Sequence, residues 1–301
     1  MNMKHFKSLS ELHKARNLPA PENPLLSLIT CVDTCAGACG IAKNGYTTDF
    51  YSIAFKRLIS GSFNYGRTRY DHKVGFMTYI KPGQIVELKD IQLEGSGFTI
   101  IFHRDFLNGE PLYQDIKKYS FFDYETNEAL HISPREEEIM WELFRKIETE
   151  YNNNQDEFSK DIILGHIQSI LRYSQRFYKR QFLNRNELTG KVISKFNKAI
   201  RLYFESGALQ TNGLPTVGTI ATQLKMSPSY LSDLLRQETG QSAIEHIHSY
   251  MISEAKNLLI GADLTVSEIA YQLGFENPPY FSRLFRKETG FSPVAYRNQH
   301  N

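Results

Sequence analysis

No stretch of the sequence approaches the roughly 18 consecutive apolar residues that a bilayer-spanning helix requires, and the opening residues Met1–Ser10 are polar with no apolar signal core. These absences predict a cytoplasmic protein with no membrane partner. Cysteine is scarce. Its three residues, Cys31, Cys35 and Cys39, are odd in number and crowded near the start, which excludes a disulfide framework for the whole chain. Excess charge is missing too. Lys and Arg number 35 against 33 Asp and Glu, a formal +2, so bulk electrostatics selects no partner. The 41% hydrophobic and 23% charged residues are close to a globular average, which leaves no room for disorder or a collagen-like chain. At 301 residues the length suits two domains, one to sense and one to act.

Charge is uneven along the chain. Residues 1–171 sum to −4, residues 172–201 to +8 and residues 202–301 to −2. The basic stretch holds Arg172, Arg176, Lys179, Arg180, Arg185, Lys191, Lys195, Lys198 and Arg201; it suits a polyanion, or equally a solvated helix face. Before it, about 49–122 reads as strands, with a turn at Lys81-Pro82-Gly83-Gln84 between Met77–Ile80 and Ile85–Leu88, and Gly95–Gly97 leading into Phe98–Phe102. At Ser133-Pro134 the period becomes helical: Ser133 is an N-cap, Pro134 fits the first turn and Ile139, Leu143 and Ile147 form a stripe. A second helix from about Lys160 carries Ile163, Ile167, Ile170, Ser174 and Phe177 alongside Leu164, Leu171 and Tyr178. So wide a stripe asks for two covering surfaces, the β domain and a second copy of the chain.

The last third contains a repeat. Thr216–Leu224 returns 49 residues later as Thr265–Leu273, and Pro228–Gly240 returns 50 residues later as Pro278–Gly290. Each copy reads as a short helix, a tight turn and a second helix, the pattern of a helix-turn-helix. Ser227 and Asn277 are N-caps before prolines, and Gly274 suits a left-handed helix end. A long helix through Ile244, Ile247, Met251, Ala255 and Leu258 would space the copies so that two helices enter successive major grooves of DNA. With Leu231, Leu234, Leu235, Phe281, Leu284 and Phe285 turned to a core, Ser229, Ser232, Asp233 and Arg236, and Pro279, Ser282, Arg283 and Arg286, face outward. Arg283 is the candidate for base readout, since a guanidinium donates bidentately to guanine. Arg236, Arg286 and Lys287 fit phosphates. A helical module for protein partners is the alternative, which two copies with matched turns disfavour.

Ile269–Phe275, Tyr280–Pro293 and Tyr296-Arg297 resemble the signature of the AraC/XylS family of bacterial transcription regulators. The resemblance covers about 190–301 and implies an all-helical domain that binds double-stranded promoter DNA, usually to activate transcription, with RNA polymerase as a further partner. It puts base-reading positions on Ser229, Ser232 and Asp233 and on Pro278, Pro279 and Arg283. Asp233 departs from the arginine often found there, so the first unit either reads a C·G pair or contributes less affinity. The N-terminal part resembles the cupin-type β barrel that many members carry for effector binding and dimerisation.

The expected fold class is therefore α+β: a cupin-like antiparallel barrel at about 25–130 and a helical dimerisation segment at about 134–182 within a domain 1–183, a linker 184–190, and an all-α DNA-binding domain 191–301. A homodimer under the control of a small-molecule effector is expected, without catalytic residues, cofactor or metal. Tyr65, Arg67, Arg69 and His72 could bind a small anion or sugar in a barrel mouth, or form a solvated hairpin tip. His72, His103 and His131 are too scattered for a metal cupin. Cys31, Cys35 and Cys39 lack the fourth ligand of a structural zinc site; small buried residues are the plain reading, and a thiol, redox or metal sensor is the alternative.

Overall fold

The computed structural model describes residues 4–31, 46–60, 63–65, 68–70, 75–86, 92–124, 128–154, 156–184 and 186–300, and the chain divides into two compact units, Met1–Gln181 and Phe182–Asn301. The first unit runs through β1 (Lys4–Phe6), α1 (Leu9–Ala15), β2 (Leu26–Cys31), β3 (Tyr46–Thr48), β4 (Phe50–Ser60), β5 (Phe63–Tyr65), β6 (Thr68–Tyr70), β7 (Phe76–Ile80), β8 (Gln92–His103), the short α2 (Leu112–Asp115), β9 (Leu130–His131), α3 (Pro134–Asn152) and most of α4 (Ser159–Asn184). Its centre is a five-stranded antiparallel sheet in the order β2-β8-β4-β7-β9. β1 and β3 form a separate parallel pair and β5 and β6 a hairpin. Among the described residues the main sheet is open, with β2 and β9 as edges, so the expected closed barrel is not formed there.

Strand periodicity assigns the two faces of the sheet. Phe50 and Ile101 point to one side, into a cluster with Phe6, Leu9, Leu12, Tyr46 and Val86. The alternate residues Tyr51, Phe55, Phe98 and Phe102 build an aromatic layer on the other side. There Phe98 stacks on Phe144 of α3 with centroids 4.4 Å apart, and Trp141 meets Phe98 edge-on at 5.1 Å. Both faces of the central strands are thus covered, which is why Phe98, Ile100, Ile101 and Phe102 are all buried.

Two expectations about this sheet change. Gly95–Gly97 is not a lead-in to a strand but part of β8, where Gly97 pairs with Lys56 and Cys31. A β-carbon on Gly97 would lie 2.5 Å from the Phe55 carbonyl oxygen, so the close approach of two backbones explains the glycine. The turn at Lys81–Gln84 does form, with Gly83 at φ +80°. However, Val86 bridges Tyr46 rather than β7.

α3 starts as the sequence predicts, with a reciprocal capping box between Ser133 and Glu136. Its buried stripe is rotated from the expected one: Met140, Phe144, Ile147 and Tyr151 are buried, whereas Ile139 and Leu143 are only partly covered. Phe144 stacks on the aromatic layer of the sheet, which turns its side of the helix inward. The wide stripe of α4 is covered within the chain itself, with Ile163, Leu164, Ile167, Ile170, Leu171, Ser174, Phe177 and Tyr178 all buried. Tyr79 donates to Ser174 and Tyr178 stacks on Phe121 at 5.5 Å; burial pushes the Tyr79 phenol upward. This stripe consequently requires no second copy of the chain.

The second unit is all-helical: α5 (Asn186–Glu205), α6 (Ala208–Asn212), α7 (Val217–Leu224), α8 (Pro228–Thr239), α9 (Ala243–Gly261), α10 (Val266–Gln272), α11 (Pro278–Thr289) and α12 (Pro293–His300). Within the segment expected as a linker, the chain is helical again from Asn186. One core, including Phe196, Ile200, Ile220, Leu231, Leu235, Met251, Ile269, Phe281 and Phe285, joins the two repeats.

Candidate nucleic-acid interface

The two copies of the repeat are built by the same hydrogen bonds. Thr216 and Thr265 cap α7 and α10, accepting from the amides of Thr219 and Glu268. At the far ends, Lys225 and Gly274 take the left-handed conformation, at φ +56° and +81°. The next amides, of Met226 and Phe275, donate back to Ala221 and Ala270 at 3.0 and 2.9 Å, a Schellman-type closure in both. Ser227 and Asn277 then accept from the amides of Tyr230 and Tyr280 and start α8 and α11 at a proline. The one-residue difference in the turns changes neither the closure nor the cap.

The helix ends match as well. Thr239 and Thr289 each donate to the carbonyl four residues back, at 2.8 and 2.7 Å, and accept the amide two residues on, of Gln241 and Phe291. Gly240 and Gly290, with φ near +80°, complete the stop. Ser242 then opens α9 through a capping box in which both its amide and its hydroxyl donate to Glu245. Those bonds hold the Glu245 carboxyl below its usual range. The second copy closes on α12, where Arg297 donates to the carbonyls of Leu259 and Leu264 at 2.9 and 2.6 Å.

On α8 and α11 the core side chains are as expected: Leu231, Leu234, Leu235, Phe281, Leu284 and Phe285 are buried. Of the candidate contact residues, Arg236, Pro279, Arg283, Arg286 and Lys287 are exposed, and Ser229, Ser232, Asp233, Pro278 and Ser282 are half-buried. Three of them already have protein partners. Ser232 Oγ accepts from the Ala243 amide at 3.3 Å, and the Asp233 carboxylate lies 3.6 Å from the Arg236 guanidinium. The i,i+3 spacing of opposite charges was the available signal for that pair.

The repeat also hides a difference. Tyr230 is 2% exposed and meets Phe182 edge-on at 5.2 Å, whereas its counterpart Tyr280 is 44% exposed. No residue within the repeat itself signals this. Glu238 is another residue that the pattern passes over: both carboxylate oxygens are covered without a hydrogen-bond partner, and burial pushes its pKa up to about 7. Lys195, Lys198 and Arg201 are exposed on α5. Arg180, from the same basic stretch, is engaged with Glu136 at 2.7 Å and with the His131 carbonyl.

The other candidates lie in the first unit, several of them outside the described residues. Tyr65 and Arg69 lie on β5 and β6, while Arg67 and His72 are outside the described residues. Cys31 ends β2, and Cys35 and Cys39 are outside the described residues. His103 ends β8 beside Asp105, and His131 is buried in β9. Among the described residues no cluster of His, Cys, Asp or Glu could hold a metal ion, and no helix is long and apolar enough to cross a membrane.

A family model described as a helix-turn-helix domain matches residues 220–299. The arabinose operon regulatory protein of Escherichia coli (strain K12) is 37% identical over 81 residues, covering 27% of this chain and 28% of that protein. The transcriptional regulatory protein YesN of Bacillus subtilis (strain 168), uncharacterized in function, is 32% identical over 131 residues, or 43% of this chain and 34% of that one. The activator RhaR of Yersinia pestis bv. Antiqua (strain Angola) is 39% identical over 140 residues, covering 46% and 44%. Among solved structures, the DNA-binding domain of AdpA in complex with a target DNA is similar at 27% identity and TM-score 0.31, over 35% of this chain and 90% of that one. The chain thus spans less than half the length of these curated relatives. The C-terminal unit carries a tandem helix-turn-helix domain. That domain is of the AraC type, and its relatives are transcription regulators.

Proposed function

We propose that this chain is a sequence-specific DNA-binding regulator of transcription, an activator that acts on double-stranded promoter DNA and engages RNA polymerase there. The observation that carries this reading is the pair of identically closed helix-turn-helix units whose second helices, α8 and α11, leave their guanidinium groups in solvent. The two helices enter successive major grooves. Arg283 reads a guanine through O6 and N7, Arg286 and Lys287 neutralise phosphates, and Ser229, Ser232, Pro278, Pro279 and Ser282 line the grooves. Lys195, Lys198 and Arg201 supply positive charge that the slightly acidic last third lacks. The first unit, cupin-like in this reading, senses a small-molecule effector and holds a homodimer, and effector binding shifts the population toward the DNA-competent arrangement.

The test is selection of duplexes from a randomised pool by the full-length chain, followed by affinity measurements across a salt series. Wild type is expected to enrich one sequence with two adjacent protected major-groove sites. Arg283→Ala is expected to lose about 1–3 kcal/mol and its preference at one base pair. A chain that enriches nothing overturns the proposal. Uniform weakening by Arg283→Ala would make that residue a phosphate contact.

A further inference from the structure

The outward faces of the two recognition helices differ in how they can offer a guanidinium. α11 carries Arg283, Arg286 and Lys287, all exposed. α8 carries one cation, Arg236, and at the position equivalent to Arg283 it carries Asp233 instead. A bare carboxylate at that place would repel the phosphates of any duplex approaching the helix. The structure shows that it is not bare. Asp233 Oδ1 lies 3.6 Å from Arg236 Nη1, with the aspartate side chain 23% exposed and the arginine side chain 59% exposed.

Side chains on an α-helix lean toward its N-terminus. Arg236 therefore brings its guanidinium back over the preceding turn, to the level of Asp233. An exposed pair of this kind adds little to stability, but it has a geometric consequence. One side of the guanidinium lies 3.6 Å from the carboxylate, an ion pair and not a hydrogen bond, and the arginine side chain stays 59% exposed, which leaves donors of its planar fork for another acceptor. Donors left in this way match the two acceptors, O6 and N7, on the major-groove edge of guanine, and the neighbouring carboxylate biases where they point.

We propose that Arg236 reads a guanine from the first helix-turn-helix unit and that Asp233 is the positioning residue that orients it. This rests on the reading of the protein as a DNA-binding regulator and replaces the assignment of Arg236 to phosphate suggested by the sequence. The two repeats reach one chemistry by different routes, directly through Arg283 in the second unit and through a buttressed arginine one turn later in the first.

The experiment compares the full-length wild type with the Asp233→Ala, Asp233→Asn, Arg236→Ala, Arg236→Lys and Asp233→Ala/Arg236→Ala variants on duplexes selected by wild type from a randomised pool. Each base pair of the selected sequence is substituted in turn. Arg236→Ala and Asp233→Ala are expected to lose preference at the same G·C pair, by about ten-fold or more, with the double variant no worse than Arg236→Ala. Asp233→Asn keeps an acceptor and retains part of the preference. Arg236→Lys keeps the charge but not the fork; loss of preference with general affinity preserved separates recognition from misfolding. Tighter binding of Asp233→Ala to every duplex overturns the proposal, because Asp233 would then act only as a repulsive charge. So does uniform weakening by Arg236→Ala with a salt slope smaller by about one, the mark of a phosphate contact. A wild-type chain that enriches no sequence overturns the regulator reading itself, whereas a consensus at which neither variant changes a position overturns this assignment alone.

Discussion

Gly274 packs against Leu209: a β-carbon on Gly274 would stand 3.1 Å from Leu209 Cδ2 and 3.3 Å from the carbonyl carbon of Gly213. This glycine meets two demands at once, a φ of +81° and a near neighbour. Lys225, at the matching place in the first repeat, meets only the first, at φ +56° and exposed to solvent. The two positions should therefore respond in opposite directions. Gly274→Ala is expected to cost about 2–3 kcal/mol, from the left-handed backbone and the crowding together. Lys225→Gly is expected to be neutral or to stabilise by up to about 1 kcal/mol. Urea unfolding followed by far-UV circular dichroism measures both, and equal destabilisation by the two would refute the distinction.

The first unit has its own reporter. Trp141 is the one tryptophan of the chain and lies edge-on to Phe98 and Phe55 at 5.1 and 6.0 Å. Its fluorescence follows the sheet and its aromatic layer, with no tryptophan elsewhere to obscure the signal. In Gly97→Ala the added carbon would meet the Phe55 carbonyl oxygen at 2.5 Å, so β4 and β8 would have to separate. The expected outcome is a loss of at least about 2 kcal/mol in the Trp141 transition. A change within about 0.5 kcal/mol would show that the strands can shift at no cost, contrary to the pairing described.

The second unit was far more legible in the sequence than the first, and the difference is physical. In the repeat every signal is local: Thr216, Ser227, Thr265 and Asn277 cap the helices that follow them, and glycines or a tolerant lysine close those helices. Local capping and turn chemistry act within a few residues, so a single sequence displays them. In the first unit the decisive facts are long-range. The stripe of α3 is set by the rings of β4 and β8, and Val86 pairs with Tyr46 across forty residues of chain. Even within the repeat, the covering of Tyr230 by Phe182 and the tie of Ser232 to Ala243 come from outside the motif. The outward positions were readable from helical period alone, but not the partners that some of them already hold.

Arg297 closes the second repeat through two carbonyls, Leu259 at 2.9 Å and Leu264 at 2.6 Å. Its planar fork satisfies both at once, which an ammonium on a flexible stem cannot do in the same geometry. Arg297→Ala is expected to destabilise the second unit by about 2–3 kcal/mol, since charge-assisted bonds are lost and two carbonyls lose partners. Arg297→Lys should recover less than half of that. Full recovery by lysine in urea unfolding would mean that charge, and not the fork, is what holds α12.

Glu238 gives a pH dependence of known sign. Its pKa rises from 4.5 to about 7 because its oxygens are buried without partners. The folded state therefore binds the proton more tightly than the unfolded state. Below pH 4.5 the carboxyl is neutral in both states and costs nothing. As the pH rises through the interval from 4.5 to 7 the folded state loses stability relative to the unfolded one, and above 7 the loss is complete. With the partial exposure of the side chain allowed for, the loss is about 1–2 kcal/mol. Glu238→Gln removes this titration and should be more stable than wild type at pH 8 by that amount, with the advantage shrinking toward pH 5. The difference between the two proteins is the quantity to measure, because His246 and His248, whose pKa values are lowered by burial, titrate in both. If the difference in urea midpoint is the same at pH 5 and pH 8, Glu238 is ionised as freely in the fold as in water.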